Sequence, residues 1–250
     1  MKKILIIFVT ILAFNLNAKD FSIIVNTINY QKVLTQEILK EYSFKGMGNN
    51  FSDSKNKLSN KLNEYNKVRK NLSSMLGDMK SKKYIKASNK IWLSIENVFK
   101  EKATKTEVLM LQKKTDKILN ELSKIMKIVL SKNNDSRDSI INISGYQAVI
   151  IERMSALYMM KTWGINDPKF NFKMRESITF FNNSLNKLID SQKTDMENQK
   201  AIKKIMRHFR FFEIMNGSKN KYIPTLIYSK TDKIHNKIDK ITKRYITQGK

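Results

Sequence analysis

The chain has 250 residues, 41% of them apolar, with 48 basic and 22 acidic side chains and no cysteine. Its size allows one large hydrophobic core or two small ones, and the lack of thiols excludes disulfides, thiolate metal sites and Cys nucleophiles. Seven Gly, two Pro and little strand-type alternation point to an all-α protein.

The chain opens "MKKILIIFVTILAFNLNAKD". Two lysines precede an apolar run from Ile4 to Phe14 that is short for a membrane span, and "NLNA" follows. This is the layout of a secretory signal peptide over residues 1–18, cleaved near Ala18, with a retained N-terminal anchor as the alternative. No later stretch is apolar enough to span a bilayer, so the expected location is the periplasm. Without Lys2 and Lys3 the chain holds 46 basic and 22 acidic residues, a net of +24. Export argues against nucleic acid as the partner of that charge. A solvated Lys-rich surface, an anionic ligand, an anionic membrane face or an acidic protein partner can account for it. The excess is spread over both halves rather than gathered in one tail.

Asp20 or Ser22 can cap a first helix running to about Tyr42, which "FKGMGNN" ends. A second helix is predicted from about Ser52 to Leu76, a third from Lys83 to Phe99 around Trp92, and a fourth from Thr104 to Leu130. Leu111, Ile118, Leu122, Ile125 and Val129 give the fourth a buried stripe. After the polar stretch "SKNNDSRDS" the plan repeats, with breaks at "WGINDPKF" and "NGSKNKYIP".

The repetition is visible in the residues. "NTINYQKVLTQEILKEY" (Asn26 to Tyr42) and "NISGYQAVIIERMSALY" (Asn142 to Tyr158) share Asn, Tyr, Gln, Val and the final Tyr at an offset of 116. "KTDKILNELSKIMK" from Lys114 and "KTDKIHNKIDKITK" from Lys230 share nine of 14 residues at the same offset. Tyr65 falls opposite Phe181, while Trp92 falls one residue out of step with Phe209. The expected architecture is two tandem four-helix-bundle units, residues 19–133 and 134–250, produced by an internal duplication. They are joined side by side or, if the linker is helical, end to end.

No enzyme signature stands out. His208 and His235 have no ligand-spaced partner in sequence, "Glu37…Glu41" is an ordinary pair among 22 acids, and no phosphate-binding Gly loop or nucleophile triad occurs. The expectation is a non-enzymatic protein with no cofactor and no metal. The paired Asn-Tyr-Gln segments are the one constellation with chemical content. Helical geometry places Asn142, Tyr146, Val149 and Arg153 near one face. Gly145 lets another backbone approach, and a buried Asn or Gln must find partners in a helix contact or in a ligand.

These residues resemble the PilJ-type sensor module at the N-terminus of type IV pilus methyl-accepting chemotaxis transducers, a motif related to that of nitrate-sensing histidine kinases. The family pattern is approximately Asn-x-Ala-Gly-x-Gln-Arg-Met-Leu-Ser-Gln-Arg. Asn142, Ser144, Gly145, Gln147 and Arg153 stand at its Asn, Ala, Gly, Gln and last Arg. Asn26, Gln31, Leu34, Thr35 and Gln36 match it in the first copy. In the nitrate sensors the first Arg holds the anion; here that position is Lys32 in one copy and Ala148 in the other, while the second Arg is Glu37 and Arg153. Lys32 can hold an anion as a point charge but not with a planar fork.

The resemblance implies a periplasmic sensory protein for chemotaxis-like signal transduction. It would bind a small molecule, an anion among the candidates, between helices and signal through a transmembrane chemoreceptor or histidine kinase. The expected ligand contacts are Asn26, Tyr30, Gln31, Lys32, Asn142, Gly145, Tyr146, Gln147 and Arg153. The two units are expected to pack as a pseudo-dimer, with a homodimer as the other arrangement. The alternative function is a helical scaffold whose basic surface docks on an acidic protein or an anionic membrane.

Overall fold

A computed structural model describes residues 18–48, 54–76, 79–133, 135–217 and 223–247, and the expected leader through residue 17 lies outside these. The described residues form nine helices and no strand: α1 (Ala18–Gly46), α2 (Ser54–Met75), α3 (Met79–Leu93), α4 (Glu96–Lys100), α5 (Lys105–Lys132), α6 (Ser136–Thr162), α7 (Phe170–Ile189), α8 (Met196–Gly217) and α9 (Pro224–Thr247). The chain is therefore all-α. None of the described helices is long and apolar enough to cross a membrane.

Helix ends follow local chemistry. Thr104 caps α5, its side chain accepting from Glu107 N, and Asp135 caps α6 by accepting from Arg137 N. Pro224 opens α9 at the first helical position, where its missing N–H costs nothing. Two expectations are corrected. The first helix begins at Ala18, so Ser22 lies inside it and turns its hydroxyl to another helix instead of capping. The third helix is broken at Ser94 and Ile95, so that Trp92 and Phe99 fall on α3 and α4.

α1 packs on α2 and α5, and α3 packs on α5; α6 packs on α7 and α9, with α8 resting on both of these. The most extensive packing in the molecule joins α1 to α6. Both are central helices. Every residue of α1 from Gln31 to Phe44 is buried, and α6 is buried from Ser144 to Met160 except at Tyr146 and Arg153. A helix enclosed all round has no wet face on which to sort its polar residues. This explains why Gln147 and Glu152 interrupt the apolar run of α6.

The α1–α6 pair is parallel. Going up α1, Ser22 meets Asp138, Asn29 meets Asn142 and Gly145, Lys40 meets Glu152, and Gly46 meets Trp163. The helical groups thus lie side by side, not end to end along one helix. Tilted aromatic pairs sit at matching places: Tyr65 lies 3.8 Å from Trp92 between ring centroids, and Phe181 lies 4.2 Å from Phe209. Asn66 Nδ2 donates to Glu96 Oε1 at 2.9 Å, and Asn182 Nδ2, 116 residues on, donates to Glu213 Oε1 at 2.7 Å.

Candidate functional site

Two grooves flank the α1–α6 seam. One, of about 590 Å³, lies among α1, α2 and α9 and is lined by Tyr30, Glu37, Lys61, Tyr228 and His235. The other, of about 670 Å³, lies between α6 and α7 and is lined by Tyr146, Arg153, Phe172, Lys173 and Arg175. They occupy matching positions: Tyr30 and Tyr146 differ by the offset of 116, as do Glu37 and Arg153. Their chemistry differs, because Glu and His face the first groove where Arg153 and a buried Leu119 stand on the second side.

The first groove has a charged floor. Lys40, 2% exposed, places Nζ 2.8 Å from Oε2 of Glu152, which is wholly buried, and 3.4 Å from Asp232 Oδ1. Lys61 Nζ lies 2.9 Å from Glu37 Oε2 and 3.4 Å from Glu64 Oε2. His235 Nδ1 lies 2.8 Å from Glu152 Oε1 and 3.6 Å from Glu37 Oε1. Tyr228 donates its hydroxyl proton to Glu41.

Burial opposes every charge here, and the neighbours decide the outcome. Burial pushes the Glu152 carboxyl up, but Lys40 and His235 outweigh it and hold the group at about 2. Burial and the nearby Glu152 raise Glu37 despite Lys40 and Lys61. Burial pulls His235 down, and its hydrogen bond and charge attraction to Glu152 more than restore it, leaving it raised. Lys40 likewise ends well above the usual lysine range, because Glu152, Asp232 and Glu37 outweigh its burial.

Lys32 is the contrasting case. It is 2% exposed, and among the described residues no carboxylate lies within ion-pairing distance. Its Nζ lies 5.2 Å from the centre of the Tyr146 ring, a cation–π contact. Burial alone lowers it to about 8. On the groove side of the same ring, Arg153 acts on the Tyr146 hydroxyl electrostatically. Arg153 and Lys173 both reach Asp116, at 3.4 Å and 3.2 Å.

The expected ligand contacts do not all line one cavity, although Asn26, Tyr30 and Gly145 share a small one of about 40 Å³ in the seam. Asn26 and Tyr30 line the first groove. Tyr146 and Arg153 line the second, and Lys32 reaches the Tyr146 ring without lining the groove itself. Gln31 Nε2 donates to Tyr65 OH at 3.1 Å inside the first helical group. Gln147 Nε2 donates to Ile143 O at 3.1 Å along its own helix. Asn142 and Gly145 sit in the seam, where Asn29 Nδ2 donates to Asn142 O at 3.3 Å. A Cβ at Gly145 would lie 2.8 Å from Asn29 Nδ2 and 3.2 Å from Asn29 Cβ, so glycine is what allows this approach.

Glu37, Lys40, Glu152 and His235 are functional-site candidates outside the expected set. The sequence held two signals for them. Glu37 stands where the motif has an arginine, and His235 replaces Leu119, a core leucine, in the otherwise similar repeat "KTDKI". Neither signal reveals that the two residues meet. No protein-family model, curated protein or solved structure matches the chain.

Proposed function

We propose that this is a non-enzymatic ligand-binding protein of a sensory system, exported to the periplasm. In this reading it arose by tandem duplication of a helical unit spanning residues 19–133 and 134–250. Its ligand is a small anion, bound where Lys32 meets Tyr146 at the groove between α6 and α7. The single observation behind this reading is Lys32: a buried ammonium set against an aromatic face, with no carboxylate of the described residues within ion-pairing distance. Such a group costs stability unless an anion compensates it. Arg153 and Lys173 make the adjoining groove a favourable approach for that anion. The motif's likeness to PilJ-type sensors supports the same ligand class, with Lys32 at the anion-holding position. Occupancy of the groove would be passed along the α1–α6 seam to a membrane receptor partner.

The test is thermal unfolding with nitrate, nitrite, phosphate, sulfate and small carboxylates, each against chloride at equal ionic strength. One anion is expected to stabilise saturably, by about 3 kcal/mol at a hundredfold excess over Kd, with the response lost in Lys32→Met. Equal behaviour of all anions and chloride, or an undiminished response in Lys32→Met, would overturn the reading. Docking of the basic surface on an acidic partner would instead appear as affinity that falls steeply with salt.

A further inference from the structure

Glu37 from α1, Glu152 from α6 and His235 from α9 each offer one ligand atom, and these atoms all lie within 4.8 Å of one another. The geometry points to a binding site for a first-row divalent cation of the zinc or manganese class, held by Glu37 Oε1, Glu152 Oε1 and His235 Nδ1. This site is separate from the anion site proposed above and stands or falls independently of it.

Four features carry the inference. First, the spacing fits. An ion bonded to O and N at about 2.1 Å sets neighbouring tetrahedral ligands about 3.4 Å apart. The two Nδ1–Oε1 separations, 2.8 Å and 3.6 Å, bracket that value, and the two carboxylates lie within 4.8 Å of each other, so a small inward movement of one of them completes the set. Second, each carboxylate is oriented. Lys61 holds Glu37 by Oε2 and Lys40 holds Glu152 by Oε2, which leaves both Oε1 atoms turned to the imidazole. Outer partners that fix ligand orientation are a regular part of metal sites.

Third, the charges balance. Lys40 is shared with Asp232 and Lys61 with Glu64, so once the ion displaces the proton that His235 Nδ1 shares with Glu152, two carboxylates and a neutral imidazole compensate it. Fourth, the centre is open on one side. Glu37 and His235 line the 590 Å³ groove while Glu152 lies behind them, so a fourth coordination position faces the groove. Three protein ligands with one open position can accept water or a groove-bound ligand. The donor set of one nitrogen and two carboxylates, with no thiolate, favours zinc, manganese or iron(II) over copper(I). The site is built once. At the 116-residue equivalents of Glu37, Glu152 and His235 stand Arg153, Gln36 and Leu119, which cannot reproduce it.

The experiment titrates chelator-treated full-length protein with Co²⁺ by visible absorption and with Zn²⁺ by calorimetry. One equivalent is expected to saturate, with d–d bands of a low-coordinate Co²⁺ centre. His235→Ala is expected to weaken binding at least about 100-fold, and Glu37→Gln at least about 10-fold. His208→Ala, which alters the other histidine, should leave binding unchanged. Circular dichroism checks that each variant stays helical; if His235→Ala does not fold, His235→Gln takes its place. Failure of the folded wild type to bind either ion saturably would overturn the proposal. So would binding that survives the His235 and Glu37 variants, or that is lost in His208→Ala.

Discussion

Ser22 and Asp138 stand 116 residues apart in sequence and hydrogen-bond to each other across the seam, Ser22 Oγ donating to Asp138 Oδ1 at 2.6 Å. The same separation relates Asn29 to Gly145, which also touch. Both contacts lie along the parallel α1–α6 pair and join residues one offset apart, the pattern in which an isologous interface brings residues together. Ser22→Ala would leave a 1%-exposed carboxylate oxygen without its donor. The expected cost is about 1–3 kcal/mol, read as a lower denaturant midpoint at unchanged m-value.

Gly145→Ala pits two effects against each other. Alanine gains about 1 kcal/mol of helix propensity, but its methyl would sit 3.2 Å from Asn29 Cβ, which the α1 backbone holds in place. The expected net result is a loss of about 1–2 kcal/mol. Asn29→Gly in the same chain should recover most of this beyond additivity, giving a positive coupling in a double-mutant cycle.

Gly46 closes the other end of the seam. A Cβ there would lie 2.1 Å from Cη2 of Trp163, a rigid ring that cannot bend away. Gly46→Ala is therefore expected to displace the indole. Trp163 fluorescence, isolated in a Trp92→Phe background, should shift to longer wavelength as the ring gains exposure. An unchanged spectrum would show that the helix end yields instead.

Lys32 sets a pH dependence of definite sign. Burial lowers its folded value to about 8, against an unfolded value near 10.5. The unfolded chain thus holds more protons between these two values, and stability should rise with pH across that window. The penalty at neutral pH is on the order of 3 kcal/mol. Lys32→Met should raise Tm at pH 7 by roughly 5–10 °C and flatten the rise between pH 8 and 10.

Lys40 predicts the opposite response to a similar change. Lys40→Met would leave Glu152, which is fully buried, without its main counter-charge. The expected loss is about 3–5 kcal/mol, because an unpaired buried charge costs far more than a well-made pair contributes. Equilibrium unfolding of the two Lys→Met variants side by side would test the contrast: one gains stability and the other loses it.

The helices, the 116-residue offset and the paired aromatic positions could all be read along the chain. Apolar periodicity and turn residues act over one or two helical turns, so they register in sequence directly. Tyr65 opposite Phe181, and Trp92 one residue out of step with Phe209, meet as two close, tilted ring pairs. The break between α3 and α4 was not legible, because the apolar pattern continues through Ser94 and Ile95. Nor was the role of Ser22, which is an adequate cap residue on local grounds.

By itself the sequence determined an all-helical chain and, to within a few residues, the ends of several of its helices. Only the tertiary structure decided which side chains meet. It set α1 parallel to α6, left Lys32 against Tyr146 with no carboxylate of the described residues in ion-pairing reach, and drew Glu37, Glu152 and His235 from three distant helices to within 4.8 Å of one another. The reason is physical: periodicity states which face of a helix is buried, but the packing of helices far apart in sequence chooses what that face is buried against.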